Sequence, residues 1–331
     1  MACLLTLPVE LRANIIEDVI LTRTAAPQDI AAAFHQRSPQ KWRRDYGING
    51  QNTARAVRYE QARVLPNSLG LLSSNKLLYS ETQAAIARLQ AAKPFECHLD
   101  VIIVEHGVLW PTWLFAPATV PFFSRIIITF RLFDASQEES SYQYMRNYPF
   151  CAFYDVLERL LLGMTGCVVI GLLELEFLDD GSAFKAEDRA SQQVQWVMLQ
   201  GHGFIGSAPD DVIVPRTNWI ANGLSRNMSI LLHIHHLTRF GTLMFERVGA
   251  LHVRADPWVD RHFALGDLLA NLAFNDPITF SQLSRSGGMG SHWAWKHATI
   301  ETRRNVRLPV GSPVVQPSST AIAGDQSQED T

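Results

Sequence analysis

Between Arg125 and Leu178 the chain changes its hydrophobic period twice, and this limits its fold more than any other segment. Arg125 to Phe133 is dense in β-branched and aromatic residues and reads as a strand. Phe150, Phe153, Tyr154, Leu157, Leu160 and Leu161 then recur at three- and four-residue spacing, which predicts a helix. Val168 to Leu178 returns to strand character, and Leu173, Leu175 and Phe177 alternate there with Glu174 and Glu176, so one end of that strand is expected to be half exposed. A strand, helix, strand unit, with a further strand candidate at His98 to Val104, predicts a mixed sheet with helices packed on it.

With 331 residues, 47% of them hydrophobic, the chain has length for about two domains and ample material for buried cores. Its 29 basic and 32 acidic residues leave a net charge of −3, which lacks the overall positive field of a non-specific nucleic-acid binder. Cys3, Cys97, Cys151 and Cys167 are scattered, without a C-x-x-C pair, and read as buried thiols of a reducing compartment, cytoplasmic or nuclear. The N-terminus shows neither a basic stretch nor a sustained apolar run of a secretory signal, and no apolar run approaches the length of a membrane helix.

Pro8 is expected at the first position of an N-terminal helix, where its missing N–H costs nothing, and Glu10 suits the positive end of the helix dipole. Leu7, Leu11, Ile15 and Val19 predict the helix's sticky face, with Arg12, Asn14, Glu17 and Asp18 largely on the other side. The pattern lapses over residues 22–67, read as an insertion. Within it Arg37, Lys41, Arg43, Arg44, Arg55, Arg58 and Arg63 form a local basic patch interleaved with Trp42, Tyr46 and Tyr59. Helical periodicity resumes from Ser68, a candidate N-cap, to about Leu89.

Further helices are expected near Ala190 to Leu199, Ile220 to Phe245, His262 to Phe274 and His292 to Arg304, with one more strand at Gly249 to Arg254. From about Leu308 the Pro-, Ser- and Gly-rich sequence predicts a disordered tail. The expected architecture is therefore α+β: a helical region over residues 1–93 carrying the 22–67 insertion, a mixed α/β domain over 94–307, and a tail over 308–331.

The run Leu5-x-Leu7-Pro8-x-Glu10-Leu11, with Ile15, resembles the first half of an F-box, and its Leu-Pro-x-Glu-Leu-Arg form is similar to that of F-box-like proteins abundant in filamentous fungi. In many of those proteins a later segment runs apolar pair, polar turn, Tyr-x-Glu, and Leu71-Leu72-Ser73-Ser74-Asn75-Lys76-Leu77-Leu78-Tyr79-Ser80-Glu81 is similar to it. The resemblance covers about residues 3–22 and 68–90. It implies that Leu5, Leu7, Pro8, Leu11 and Ile15 dock on the Skp-type adaptor of a cullin-RING ubiquitin ligase, while the rest of the chain receives a protein substrate, by insertion of apolar helix anchors into a groove. A competing expectation is that Leu7, Leu11 and Ile15 pack on the Leu71 to Leu89 helix as an internal hairpin of a scaffolding protein.

No catalytic constellation is legible, and neither a cofactor nor a metal site is expected. Gly201-His202-Gly203-Phe204-Ile205-Gly206 has the spacing of a dinucleotide loop, but Pro209 and Asp210-Asp211 follow where a helix is needed. Ser286-Gly287-Gly288-Met289-Gly290-Ser291 lacks the Lys-Ser/Thr ending of a phosphate loop. His233, His235 and His236 are not spaced four apart on a helix, and Asp179-Asp180 and Asp210-Asp211 read as solvated turns. An enzyme would need a polar pocket joining distant segments, such as these histidines with Glu174 or Glu176. The basic patch reads as a solvated insertion rather than a nucleic-acid surface. Trp110 and Trp113, in an aromatic and proline-rich joint between strands, are expected to pack in the core, or to serve as partner anchors if exposed.

Overall fold

The structure, a computed structural model, describes residues 4–34, 37–39, 57–60, 66–104, 108–118, 120–133, 148–162, 168–178, 216–233, 236–256, 259–272 and 289–312. It is a mixed α+β fold. A 3-10 turn at Leu4–Thr6 precedes helices α1 (Val9–Leu21), α2 (Ile30–Phe34), α3 (Leu69–Leu72), α4 (Lys76–Ala92), α5 (Tyr148–Leu162), α6 (Arg216–His233), α7 (Arg239–Arg247), α8 (Leu265–Asn271) and α9 (Met289–Asn305). Strands β1 (Arg37–Pro39) and β2 (Arg58–Glu60) pair antiparallel.

The central sheet contains β3 (Glu96–Val104), β4 (Val108–Phe115), β5 (Phe122–Leu132), β6 (Val169–Phe177), β7 (Val248–Ala255) and β8 (Val259–Ala264), in the order β4-β3-β5-β6-β7-β8. The four inner strands run parallel, and β4 and β8 fold back antiparallel at the two edges. Because each parallel step moves in the same direction, the crossover elements collect on one face. On that face Cys97, Leu99 and Val101 align with Ile126, Ile128 and Phe130, then with Leu173, Leu175 and Phe177. Phe153, Leu157 and Leu161 of α5 and Ile220, Leu224 and Met228 of α6 pack into the same buried cluster. So do Ile16 and Ile20 of α1 and Leu78 and Ile86 of α4, which makes the N-terminal helices continuous with the core of the sheet.

Three strands share one phase slip. Members of the main hydrophobic cluster fall three apart at Phe123 and Ile126, at Ile170 and Leu173, and at Val248 and Leu251, instead of the two of a regular strand. Between them lie Ser124, Gly171 and Gly249. A Cβ on Gly171 would stand 2.6 Å from the Ser124 carbonyl oxygen, and one on Gly249 would stand 2.4 Å from that of Gly171, so both sites admit only glycine without backbone movement.

The expected strands all form, each extended or trimmed by a few residues. The Trp110 to Leu114 joint is itself edge strand β4, where Pro111 is tolerated because an edge needs fewer ladder donors. The single helix expected over Ile220 to Phe245 is two, since Thr238 caps α7 by accepting from Gly241 N–H at 3.3 Å. His262 lies in β8 opposite His252 rather than in a helix. The long N-terminal helical segment starts at Asn75, whose Oδ1 accepts from the N–H groups of Leu77 and Leu78, both at 3.0 Å, and Ser68 makes no side-chain cap. Leu308 is buried, and residues 309–311 lie against α8, so the expected tail begins docked. The Gly201 to Gly206 run, the two Asp-Asp pairs, His235, the Ala190 to Leu199 segment and residues 313–331 fall outside the described residues. Of Ser286 to Ser291, the last three residues open α9.

Candidate functional site

Two sequence segments about 70 residues apart meet at Arg12. Its Nε donates to Glu81 Oε2 at 2.7 Å and its Nη2 to Glu81 Oε1 at 2.6 Å, a bidentate fork that only a planar guanidinium makes. The remaining nitrogen, Nη1, donates to the carbonyls of Leu7 at 2.9 Å and Leu5 at 3.3 Å, holding the turn ahead of α1. Arg12 in turn keeps the Glu81 carboxyl below its ordinary range, chiefly through these hydrogen bonds. One turn and a half later Arg88 Nε donates to Glu17 Oε1 at 2.8 Å. Since the partners advance together, 12 with 81 and 17 with 88, α1 and α4 run parallel with their N-terminal ends side by side.

This geometry changes which face of α1 is inward. Arg12, Ile16 and Ile20 form the buried stripe, with Ile16 and Ile20 both 0% exposed. Leu11 is 52% exposed, Leu5 44% and Ile15 38%; Pro8 is also exposed, and Leu7 is half-buried. The expected hairpin packing through Leu7, Leu11 and Ile15 therefore does not occur. The helices are parallel rather than antiparallel, and α1 is rotated to bury Arg12 on Glu81. Across the pair, Val9, Leu77 and Tyr79 add further exposed apolar side chains near the same end. At its other end, α1 is tied to the body by Asn67, whose Nδ2 donates to the carbonyls of Ile20 at 3.0 Å and Thr22 at 2.7 Å.

Trp110 and Trp113 are spent inside the chain. Trp110 is 4% exposed, packs on Phe34 with ring centroids 5.8 Å apart and lies under the guanidinium groups of Arg37 and Arg58. Trp113 is half-buried against the main core. One arginine of the basic patch is thereby internal, and Arg58 is half-buried. The Arg37 side chain is 2% exposed and donates to Ala33 O, Arg58 O, Pro111 O and Thr112 Oγ1. Tyr59 is also partly buried, with Arg159 3.9 Å from its ring centre, and burial raises its pKa above the usual value.

The face of the sheet opposite α5 and α6, which α2 covers only at its β3–β4 end, carries a lattice of charges that alternation alone did not reveal. Register places Glu174 beside His252 and Glu176 beside Arg254. Glu174 is 2% exposed; Arg125 Nε donates to it at 2.5 Å and Arg254 Nη1 at 3.2 Å. Burial pushes the Glu174 carboxyl up, but the two arginines outweigh it and leave the pKa below the ordinary value. His252 Nε2 lies 2.5 Å from Asp260. Glu174 thus meets His252 and two arginines rather than His233 or His236. Of those, His233 lies along its own helix against Ser229 O, whereas His236 is buried with its ring 5.0 Å from that of His292. Among the described residues no three His, Cys, Asp or Glu side chains are placed to hold a metal ion. A cavity of about 10 Å³ lies between Ile103, Phe130, Phe177 and Leu224, barely space for one water and lined by apolar groups.

No protein family, no curated protein and no solved structure matches this chain.

Proposed function

We propose that this chain is an F-box-like interaction protein whose N-terminal turn and α1 dock on a Skp-type adaptor, with the α/β body receiving a protein substrate for a cullin-RING ubiquitin ligase in the cytoplasm or nucleus. One observation carries the reading: Leu5, Pro8, Leu11 and Ile15 stay exposed while α1 is fully engaged through its other face. Exposed apolar side chains at three- and four-residue spacing on a rigidly held helix are what helix-in-groove recognition requires. The pairing of Arg12 with Glu81 also joins the two segments that resemble the family. Among the described residues no helix is long and apolar enough to cross a membrane.

A free-standing scaffolding protein is the second reading, favoured by the way Ile16, Ile20, Leu78 and Ile86 share one buried cluster with the sheet. Capture of purified Skp-type adaptor by the full chain separates the two. The adaptor reading expects binding by the wild type and loss of it in Leu7→Asp and Leu11→Asp, with circular dichroism unchanged in Leu11→Asp. An intact protein that captures no adaptor ends that reading.

A further inference from the structure

We propose that Arg12 is the positioning residue of the docking surface: its guanidinium fixes the turn that presents Leu5 and Pro8, beyond joining α1 to α4. The identity of the partner rests on the function proposed above, whereas the role of Arg12 in the turn does not.

The donors divide by edge. Nε and Nη2 face the Glu81 carboxylate, and Nη1 faces two turn carbonyls, those of Leu5 and Leu7. A planar, delocalised group makes all four bonds at once and so transmits the position of α4 to the turn. Within the turn, Leu7 N–H reaches Leu4 O at 3.3 Å, and Pro8 has no N–H to contribute. Carbonyl capture by Arg12 therefore adds to the packing of Leu4 on the core a polar constraint on backbone that carries exposed apolar side chains. The same logic assigns work to three residues of the second segment: Leu78 enters the core, Tyr79 stays at the surface and Glu81 orients Arg12.

An ion pair between helices and a fixed turn are separable by exchanging the charges. In the double variant R12E/E81R a carboxylate on α1 meets a guanidinium on α4, but residue 12 can no longer donate to the carbonyls of Leu5 and Leu7. Arg12→Lys keeps the charge while replacing the fork by a single ammonium. Arg88→Gln removes the second interhelical pair without touching the turn. Each full-length variant is followed by thermal melting, by hydrogen exchange of the peptide spanning residues 4–11 and by affinity for the adaptor.

The expected result is that R12E/E81R melts closer to wild type than Arg12→Ala does, yet exchanges over 4–11 about tenfold faster, as lost charge-assisted hydrogen bonds require. Arg12→Lys should show the same fast exchange, and Arg88→Gln should exchange as wild type. Adaptor affinity should weaken about tenfold in R12E/E81R and in Arg12→Lys. Wild-type exchange over 4–11 in both R12E/E81R and Arg12→Lys would overturn the proposal, whatever their melting temperatures. A wild type that fails to bind adaptor removes the partner, while the exchange measurement still decides the role of Arg12.

Discussion

Lys296 and Arg303 stand seven residues apart on one face of α9, and each closes the C-terminal end of a different helix. Lys296 Nζ donates to Ala270 O at 2.9 Å and Leu272 O at 3.2 Å, at the end of α8. Arg303, 0% exposed, donates through Nη1 to Phe245 O and to Val248 O at 2.9 Å at the end of α7, and through Nε to Pro309 O at 2.8 Å. Cations at helix C-termini satisfy carbonyls that have no partner within the helix and oppose the negative dipole end. Burial pulls the Arg303 pKa down to about 10, which still leaves it charged at neutral pH.

Arg303→Met should therefore destabilise the protein by about 3 kcal/mol, because it takes the donor from two buried carbonyls, those of Phe245 and Val248, and from the partly buried one of Pro309. Arg303→Lys should recover only part of this, since one ammonium cannot span all three. Denaturant unfolding measures both. A loss in Arg303→Met no greater than that of a surface substitution would refute the assignment.

Rotation of α1 is tested by a pair of truncations. Ile16→Ala should cost about 2–5 kcal/mol, as a fully buried branched side chain leaves a cavity. Leu11→Ala should stay within about 0.5 kcal/mol, as exposed sites do. The opposite order in equilibrium melts would mean that the Leu11 stripe faces inward.

Arg307 has φ of 62°, a left-handed conformation that L side chains rarely adopt. Its N–H bonds Arg304 O at 3.1 Å and the next N–H, of Leu308, bonds Arg303 O at 2.9 Å, the double closure of a Schellman end. Arg307→Gly should raise stability by about 0.5–1 kcal/mol, the relief of backbone strain exceeding the extra flexibility of the unfolded chain. Arg307→Val should lower it. Thermal melting of the pair gives the sign directly.

His292 is buried beside His236 and Trp295, and burial holds its pKa below the ordinary 6.5. The unfolded chain then binds a proton that the folded chain resists, so stability is complete above about pH 6.5 and declines as pH falls below it. Comparing unfolding at pH 7.5 and 5.5, wild type should lose more than His292→Gln. The variant keeps some dependence through His98, whose pKa is lowered chiefly by burial and also by Arg23. Equal losses in the two proteins would exclude His292 as a source.

Legibility in the sequence followed the chemistry of each element. The β3, β5, β6 and β7 segments were visible because burial of a parallel sheet demands runs of Ile, Val, Leu and Phe, and α5 because its inward stripe is apolar but for Glu158. The inward face of α9 could not be read the same way: His292, Lys296, Thr299 and Arg303 are its buried positions, and their partners are backbone carbonyls and rings from other elements. The charges on the outer sheet face were legible singly, as Glu174 and Glu176 in alternation, but not as a lattice with Arg125, His252 and Arg254.

The sequence by itself determined local matters at the N-terminus: a proline-started helix, an apolar set at helical spacing, and a second segment carrying Tyr-x-Glu. These depend on neighbours along the chain. Which side of α1 turns inward was decided only by tertiary structure, because Arg12 finds its carboxylate 69 residues away on a parallel helix. Hydrophobic periodicity marks both Leu7-Leu11-Ile15 and Ile16-Ile20 as apolar. The long-range fork between Arg12 and Glu81, with Ile16 and Ile20 against the sheet's core, selects the second for the interior and leaves Leu11 and Ile15 at the surface.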